Sequence, residues 1–383
     1  MTGTTVEESS SRAWPYLAGV ERSTLRELLI HGPLPRAEIA RRLNVSRASL
    51  TRATRLLMEH AFIAEREIAL RGAMGRPSEI LAVREDQHHF LGVKLTGDAV
   101  FAVVTDLRAR IVASVEEELR SRAVDDTVAQ IADIHARFLR EYADIHAVGV
   151  CLAGDLATVG GRQVVIESYF LGWKDVPLAD LLARRLDIPV FVDNDVRGLT
   201  AAEHWYGAGA GCDSLAVVTV GAGIGFGLVI DGKVVAGHGG RAGQLGHLPV
   251  DPAGPPCGRG HTGCASVYLP SERIAHAAGT GDYAAAVSAA RGGDAGAQNA
   301  FDDAARALGV IIGTVANALD PEKIVLTGDG LAVMELSPEQ VMDAIAAVRL
   351  PDDEPVRLVV EPVEFTEWAR GGAVVAIRRL LQF

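Results

Sequence analysis

The chain has 383 residues, of which 49% are hydrophobic and 22% charged, and its formal net charge is −12. A chain of this length and composition is expected to fold into two or three globular domains. No apolar run approaches the ~20 residues of a membrane helix, and the N-terminus has neither the basic start nor the apolar stretch of a signal peptide. Together with four cysteines that suggest no disulfide framework, these features predict a cytoplasmic protein without a membrane partner.

The charge is unevenly distributed along the chain. Residues 21–83 contain eleven Arg, seven Glu and no Lys or Asp, a net charge of +4 that leaves −16 for the rest. A small basic module joined to a large acidic body predicts that only the module contacts a polyanion. Residues 1–20, which precede the module, are expected to be a disordered tail.

The module carries a pattern of three short helices. Apolar residues recur at helical spacing over residues 22–31 and 34–43, and Ser46 is a natural N-cap for a third helix that runs to about Glu59. Leu50, Ala53 and Leu57 form the inner stripe of this third helix. The residues predicted to contact DNA from it are Arg47, Ser49, Thr51, Arg52 and Arg55.

Two strands are predicted after the third helix, over residues 62–65 and 80–83, and the loop between them would form a wing that presents Arg71 and Arg76. The alternative for all these arginines is a solvated helix face. The order of three helices and a hairpin, with a local excess of positive charge, favours DNA binding instead. Residues 21–84 closely resemble the winged helix-turn-helix of bacterial repressors, which implies double-stranded operator DNA as a partner.

The pattern changes from Phe90 onward to strands that alternate with helices, which predicts an α/β body with partly parallel sheets. The expected strands lie in residues 90–119, at 147–157, 189–193, 214–220, 323–326 and 357–360, and the expected helices at 126–145, 176–186, 198–206, across much of the stretch to about 319, and at 366–381. The glycine-rich run 221–227 is either a tight hairpin or a phosphate-binding loop.

Asn194 and Asp195 end a predicted buried strand, where ligand sites form in α/β proteins. A carboxylate there could take a proton from a sugar hydroxyl. The alternative for Asp195 is a helix N-cap.

Residues 240–264 bring His247, Cys257, His261 and Cys264 into one loop rich in Gly and Pro. Thiolate and imidazole ligands favour a structural zinc site. The alternative is a chance grouping on a polar loop.

Residues 88–383 resemble the ROK family (repressors, open reading frames and sugar kinases). The resemblance rests on GWKDVPL (172–178), PVFVDNDVRGLTAAE (189–203), VTVGAGIGFGLVIDGKVVAGHGGRAGQLGH (218–247), PPCGRGHTGC (255–264) and IVLTGDG (324–330). It implies an α/β body of two subdomains with the actin-like ATPase, sugar kinase-like fold, a sugar cleft between them, a structural zinc, and a homodimer or dimer of dimers. Members with an N-terminal winged helix are similar to sugar-responsive repressors.

The phosphate loop departs from the family's kinases. Their Asp-x-Gly-Gly-Thr loop corresponds here to residues 94–98, where Lys94 replaces the acid, Thr96 the first glycine of the pair and Asp98 the threonine. We therefore expect no ATP binding and no enzyme activity. Asp195 matches the family's catalytic base, and without a phosphoryl donor it is interpreted as a ligand contact.

The sugar-binding residues that the resemblance implies are also altered. Gln244 replaces a usual Glu, Ser266 replaces an acid after the last zinc cysteine, and Tyr169 replaces an Asn. The predicted sugar contacts are Asn194, Asp195, Glu203, Gln244 and His247. The changes predict a different sugar or sugar derivative, or a lost ligand.

The zinc motif matches the family at His247, Cys257 and Cys264, whereas Arg259 occupies the position of the middle cysteine. His261 is the candidate fourth ligand because it is two positions away. The alternatives are a water ligand, or no zinc with Arg259 as a polar substitute.

Three functions remain open at this point. The favoured one is a transcriptional regulator, a repressor of carbohydrate-related genes, controlled by a sugar in a degenerate kinase cleft. The alternatives are an active ATP-dependent ROK sugar kinase and a ligand-independent regulator that uses its body as a dimerisation scaffold.

Overall fold

A computed structural model describes residues 14–68, 78–350 and 354–383. Within these ranges no helix combines the length and the apolar character that crossing a membrane requires.

The N-terminal module consists of three helices and a β-hairpin. The predicted third helix is present: the side chain of Ser46 caps it by accepting from Ser49 N at 3.2 Å, and Leu50, Ala53 and Leu57 are buried. Residues 34–35 form a short strand instead of the predicted start of the second helix. Arg71 and Arg76 lie outside the described residues. The elements are α1 (Gly19–His31), β1 (Leu34–Pro35), α2 (Arg36–Arg42), α3 (Arg47–Glu59), β2 (Ile63–Ile68) and β3 (Ser78–Val83).

The segment before α1 departs from the predicted disordered tail in its last part. Leu17 is buried, and the ring of Trp14 packs edge-on against Phe62 and Phe90, with centroids 5.1 and 5.7 Å apart. Since these contacts bury large apolar groups, residues 14–18 belong to the folded structure.

The body has two lobes, each built on a five-stranded sheet. In the first lobe, β4–β5–β6 is an antiparallel meander and β4, β7 and β11 are parallel, which gives the order β11-β7-β4-β5-β6. Its elements are β4 (His89–Leu95), β5 (Ala99–Thr105), β6 (Ile111–Glu118), α4 (Val124–Phe138), β7 (Ile145–Leu152), β8 (Asp155–Val159), β9 (Arg162–Ser168), β10 (Trp173–Val176), α5 (Leu178–Leu186) and β11 (Val190–Asn194).

The second lobe repeats this topology with the order β14-β13-β12-β15-β16, again an antiparallel meander followed by parallel strands. Helix α6 joins the two lobes. The elements are α6 (Asp195–Tyr206), β12 (Leu215–Val220), β13 (Ile224–Ile230), β14 (Lys233–Val234), two 3₁₀ turns (Leu245–His247 and Ala265–Val267), α7 (Ser271–Ala277), α8 (Tyr283–Arg291), α9 (Ala295–Leu319), β15 (Lys323–Gly328), α10 (Ala332–Leu336), α11 (Pro338–Val348), β16 (Leu358–Pro362) and α12 (Phe365–Leu380).

One prediction for the first lobe is wrong in part, and one of its sheets was not predicted. The helix expected over residues 126–145 ends at Phe138, because the chain turns there and enters β7 at Ile145. The sheet β10-β9-β8 was not predicted; its β8–β9 turn is made by Gly160 and Gly161, both at positive φ.

The glycine-rich run 221–227, in the second lobe, forms a tight hairpin, one of its two predicted alternatives, since β12 and β13 pair in antiparallel register across it.

Helices α6 and α12 meet at a contact that only glycine permits. A Cβ added to Gly371 of α12 would lie 2.8 Å from the carbonyl carbon of Gly198 in α6. The backbones therefore touch, and the pair packs as one unit against the first lobe.

Candidate functional site

A cleft of about 650 Å³ lies between the two lobes. The carboxyl end of β11, the turn after β4, the β12–β13 hairpin and the start of α12 surround it, as expected for a ligand site in an α/β fold. Its size and its mixture of apolar and polar walls suit a small organic ligand.

The cleft centre contains a buried ion pair. The Nζ atom of Lys94 donates to Oδ2 of Asp195, and the two residues are only 5% and 7% exposed. The other carboxylate oxygen of Asp195 accepts from the backbone N of Val196 at 2.9 Å. Both oxygens of the Asp195 carboxylate are therefore engaged, one by the Lys94 ammonium group and the other by a backbone amide.

Asn194, not Asp195, is the N-cap of α6. Its Oδ1 accepts from the backbone N of Val196 and Arg197 at 3.0 and 3.3 Å, and its Nδ2 donates to Gly154 O at 3.2 Å. The capping role considered for Asp195 therefore belongs to its neighbour. Both ends of the Asn194 amide are engaged, so the amide is fixed in orientation at the wall of the cleft.

The segment that matches the kinase phosphate loop is a closed hairpin turn. Thr96 Oγ1 donates to Asp98 Oδ1 at 2.7 Å and accepts from Ala99 N at 2.9 Å. Arg122 Nε donates to Gly97 O at 2.7 Å, and the Arg122 side chain lines the cleft beside the turn. These bonds use the side chains and a backbone carbonyl internally, instead of leaving an open cradle of backbone amides for phosphates.

Aromatic side chains occupy the wall beside this turn. The Trp368 ring lies under the Lys94 ammonium, with 5.2 Å between Nζ and the ring centroid. Phe365 stacks on Phe101 at 4.7 Å, and Phe170 faces the same space. This half of the cleft therefore combines aromatic rings with two cations, Lys94 and Arg122.

The structure divides the predicted sugar contacts. Asn194, Asp195 and Gln244 line the cleft, whereas Glu203 and His247 do not belong to its lining among the described residues. The carboxylate of Glu203 instead accepts from Ala208 N at 3.0 Å at the far end of α6. Burial, with Glu361 and Glu367 nearby, raises the pKa of Glu203 despite that bond.

Cleft residues that the sequence did not indicate are Arg197 and Arg241. Arg197 Nη1 donates to Gly240 O at 2.7 Å, and Arg241 pairs with Asp155 at 2.9 Å. Both contacts join the first lobe or α6 to the loop after β14, and so close the cleft on one side. Each arginine contacts a partner far away in the sequence, so its position in the cleft could be recognised only from the structure.

The loop 240–264 brings the four predicted metal ligands together. One ligand atom from each of His247, Cys257, His261 and Cys264 lies within 4.8 Å of the others. The Cys257 Sγ to His247 Nδ1 distance is 3.6 Å, close to the roughly 3.5 Å between sulfur and nitrogen ligands of one tetrahedral zinc. Arg259 is exposed and contributes its backbone N to Cys257 Sγ at 3.4 Å. The donor set fits zinc without Arg259 as a ligand.

The outer face of α3 carries the predicted DNA contacts. Arg47, Thr51, Arg52 and Arg55 are exposed and Ser49 is half-buried. The α2 arginines are engaged with carboxylates, Arg41 with Glu38 at 2.6 Å and Arg42 with Glu38 at 2.9 Å. Within the described part of the chain, Arg47 and Arg52 form no ion pair. Their guanidinium groups are therefore available to an external anion.

The module and the body share one hydrophobic core. Buried side chains of α1 and α3 belong to the same cluster as Trp205 of α6 and Ile377 of α12. The Phe383 ring lies 5.2 Å from the Trp205 ring and 5.5 Å below the guanidinium of Arg22 in α1. Since α6 and α12 also begin at the cleft, these two helices connect the cleft wall to the module.

Comparison with known proteins finds a family model and several transcriptional regulators that match most of the chain. The ROK family model matches residues 90–375. The DNA-binding transcriptional dual regulator NagC of Escherichia coli (strain K12) is 28% identical over 327 residues, which cover 78% of this chain and 77% of that protein. The xylose repressor of Bacillus subtilis (strain 168) is 22% identical over 314 residues, covering 80% and 81%.

Enzymes match the body as well. A glucokinase of Halalkalibacterium halodurans is 36% identical over 206 residues, which cover 49% of this chain and 62% of the enzyme. Among solved structures, a ROK family transcriptional regulator described as a homologue of the E. coli MLC protein superposes with a TM-score of 0.80 at 24% identity, covering 94% of this chain and 96% of that one. This regulator structure therefore shares the fold of the whole chain, module and body included.

Proposed function

The chain belongs to the ROK family, and on that premise we propose that it is a DNA-binding transcriptional regulator, a repressor of carbohydrate-related genes. The observation that carries the proposal is the face of α3. It presents Arg47 and Arg52 without carboxylate partners among the described residues, while the arginines of α2 are neutralised within the module. Arginine in this position bonds guanine or phosphate bidentately.

The proposed effector is a sugar or sugar derivative bound in the cleft. Gln244 supplies an amide donor and acceptor at its wall and Asn194 the second N–H of its amide, and Phe170 and Phe365 supply rings on which a sugar face can pack. A ligand that contacts Gln244 and Asn194 contacts both the second lobe and the start of α6. Its binding energy can therefore shift α6 relative to the module, provided that it differs between the two arrangements.

Zinc is the proposed structural metal, with His247, Cys257, His261 and Cys264 as ligands. The bound metal would supply a cross-link in a loop that is otherwise held by turns and isolated β-bridges. Residues 240–244 of the same loop line the cleft, so a rigid metal end fixes the position of Gln244. A zinc content of one ion per chain, measured on protein purified without added metal, tests this.

A homodimer or dimer of dimers is the proposed assembly, since it would place two α3 helices on a pseudo-palindromic operator. Light scattering of the purified chain, alone and with operator, measures the stoichiometry. Two chains per operator is the expected minimum, and one chain per operator would contradict the assembly.

The second candidate is an active sugar kinase, which the retained Asn194–Asp195 pair and the matching glucokinase favour. The Lys94–Asp195 ion pair argues against it, because the base is neutralised where the metal–nucleotide would bind. An ATP-dependent phosphorylation assay against a panel of hexoses and pentoses decides between the two. No turnover above background is expected, and sugar-dependent ADP release would refute the proposed loss of activity.

The DNA-binding proposal is tested by selection of bound fragments from genomic DNA, followed by titration of the enriched site. Enrichment of a discrete palindromic sequence near carbohydrate genes is expected. Binding that shows no sequence preference would contradict a regulator. A stabilisation screen with sugars and sugar phosphates then separates a sensor from a ligand-independent scaffold, because a ligand specific for the native state raises the melting temperature.

A further inference from the structure

A second cavity, of about 380 Å³, lies between the DNA-binding module and the body. Ile30, near the end of α1, forms its module side. On the body side lie the turn between β5 and β6, the C-terminal end of α6 with Trp205 and Tyr206, and the first turns of α12 with Arg370. It shares no lining residue with the cleft between the lobes.

The charged groups that line this cavity are mostly positive. Three arginines face it, Arg108, Arg110 and Arg370, against one carboxylate, Glu367. Arg110 pairs with Glu85 at 2.6 Å and Arg370 with Glu367 at 2.5 Å. Among the described residues the Arg108 side chain makes no ion pair or hydrogen bond, although it is half-buried. One positive charge therefore remains uncompensated at the cavity wall.

The turn that carries Arg108 is firmly held. The buried carboxylate of Asp106 accepts from the backbone N of Arg108 at 2.8 Å and of Arg110 at 2.9 Å. Ala109 between them is buried at a φ of 56°. The Tyr206 hydroxyl donates to Leu107 O at 3.2 Å and ties the turn to α6. A fixed backbone lowers the entropy that Arg108 would lose on binding a ligand.

The cavity also touches the module directly. A Cβ added to Gly32, the residue that ends α1, would lie 3.4 Å from Nη1 of Arg108. An anion held by Arg108 would therefore sit against α1 as well as against the body. A ligand that contacts both parts stabilises their packing, since it binds that arrangement better than a separated one.

The geometry points to a second ligand site at this junction, which takes a small phosphate-bearing molecule on Arg108 and packs the rest of that molecule against Ile30 and Trp205. Phosphate fits because a guanidinium group binds it with two parallel hydrogen bonds. The apolar side chains leave room for an organic group attached to the phosphate. The site is independent of the cleft and of whether a sugar binds there.

Thermal unfolding of the full chain in inorganic phosphate, against chloride at equal ionic strength, tests the site. Phosphate at ten times its dissociation constant is expected to raise the melting temperature by about 2 °C. Arg108→Gln should abolish the increase. Arg184→Gln, an equal charge change on the exposed end of α5, should retain it.

A second pair of variants keeps the test clear of folding defects. Ala210 is exposed at the cavity wall, so Ala210→Glu adds a competing carboxylate without disturbing the core, and Ala210→Gln is its neutral control. The glutamate variant should lose the phosphate response and the glutamine variant keep it. Equal responses from both would overturn the site.

Two further outcomes would overturn the inference by placing the phosphate elsewhere. Loss of the response in Arg122→Gln, which alters the cleft wall, would assign phosphate to the cleft. Weakening of non-specific DNA binding at low salt by Arg108→Gln, to the same extent as by Arg52→Ala, would assign Arg108 to the DNA backbone. An absence of any phosphate-specific increase in the unmodified protein would remove the site altogether.

Discussion

Replacing Lys94 with Met tests the buried ion pair at the cleft centre. Lys94 and Asp195 are 5% and 7% exposed, so removal of the ammonium group leaves a carboxylate that solvent cannot stabilise well. Breaking a buried pair from one side costs about 3–5 kcal/mol. The Val196 N hydrogen bond at 2.9 Å remains with Asp195 and offsets part of this loss, so we expect about 3 kcal/mol.

The measurement is the free energy of unfolding in urea at pH 7, for the unmodified chain, Lys94→Met, and the double variant Lys94→Met/Asp195→Leu. The double variant removes both charges, so it should recover most of the stability that the single variant loses. Asp193→Asn is a control for loss of a nearby carboxylate, one that is paired with Arg197 instead. A loss below about 1 kcal/mol in Lys94→Met, or an equal loss in the double variant, would refute the role of the pair.

Two more predictions concern His88, a buried histidine between β3 and β4, and the metal cluster. Burial, and then the neighbouring His146, lowers the pKa of His88 to about 4. This is below the unfolded value of about 6.5, so the unfolded chain binds the proton first as the pH falls. The contribution of neutral His88 to the stability of the folded chain is therefore complete above pH 6.5 and is lost as the pH falls toward 4. His88→Phe should flatten the pH dependence of unfolding across that window by up to about 3 kcal/mol, and an unchanged slope would contradict this. For the metal, His261→Ala should lower zinc affinity at least about 10-fold in a chelator competition, and the double variant Arg259→Cys/His261→Ala should restore it; equal affinity in His261→Ala and the unmodified chain would exclude His261 as a ligand.

The periodicity of apolar residues predicted helices and strands well where the burial of each residue is set by its position in its own helix or strand. The third helix is an example: the inner stripe at Leu50, Ala53 and Leu57 and the Ser46 cap are all set within one segment. The alternation of buried strands and helices likewise predicted an α/β body with partly parallel sheets, because strands such as β7 and β12 are buried along nearly their whole length. The division into two lobes followed from the family resemblance instead.

Partners distant in sequence were not predictable in this way. Lys94 was recognised as a changed phosphate-loop residue, yet its pairing with Asp195, 101 positions later, depends on β4 and β11 flanking β7 in one sheet. Glu203 lies away from the cleft lining for a simple geometric reason. It lies eight residues beyond Asp195 on one helix, which is about 12 Å further along the axis and away from the cleft.

The cluster at His247 shows the intermediate case. The loop is short enough that proximity in sequence indicated His261, and the structure brings its side chain to the other three. The same loop's contact with the cleft was assigned to Gln244 and His247; of these two residues, Gln244 lines the cleft and His247 does not. Which residues of an irregular loop point inward depends on its turns, and those have no period to detect.

Binding of the selected operator by Arg52→Ala tests the central claim most directly. Fluorescence anisotropy at a fixed salt concentration would compare the unmodified chain, Arg52→Ala and Arg184→Ala, a control on the body. The loss of one arginine contact to a base should weaken operator binding about 10-fold or more, with no change in melting temperature and none for the control. Equal affinity of Arg52→Ala and the unmodified chain would contradict the assignment of α3 as the recognition helix and, with it, the account of this protein as a regulator.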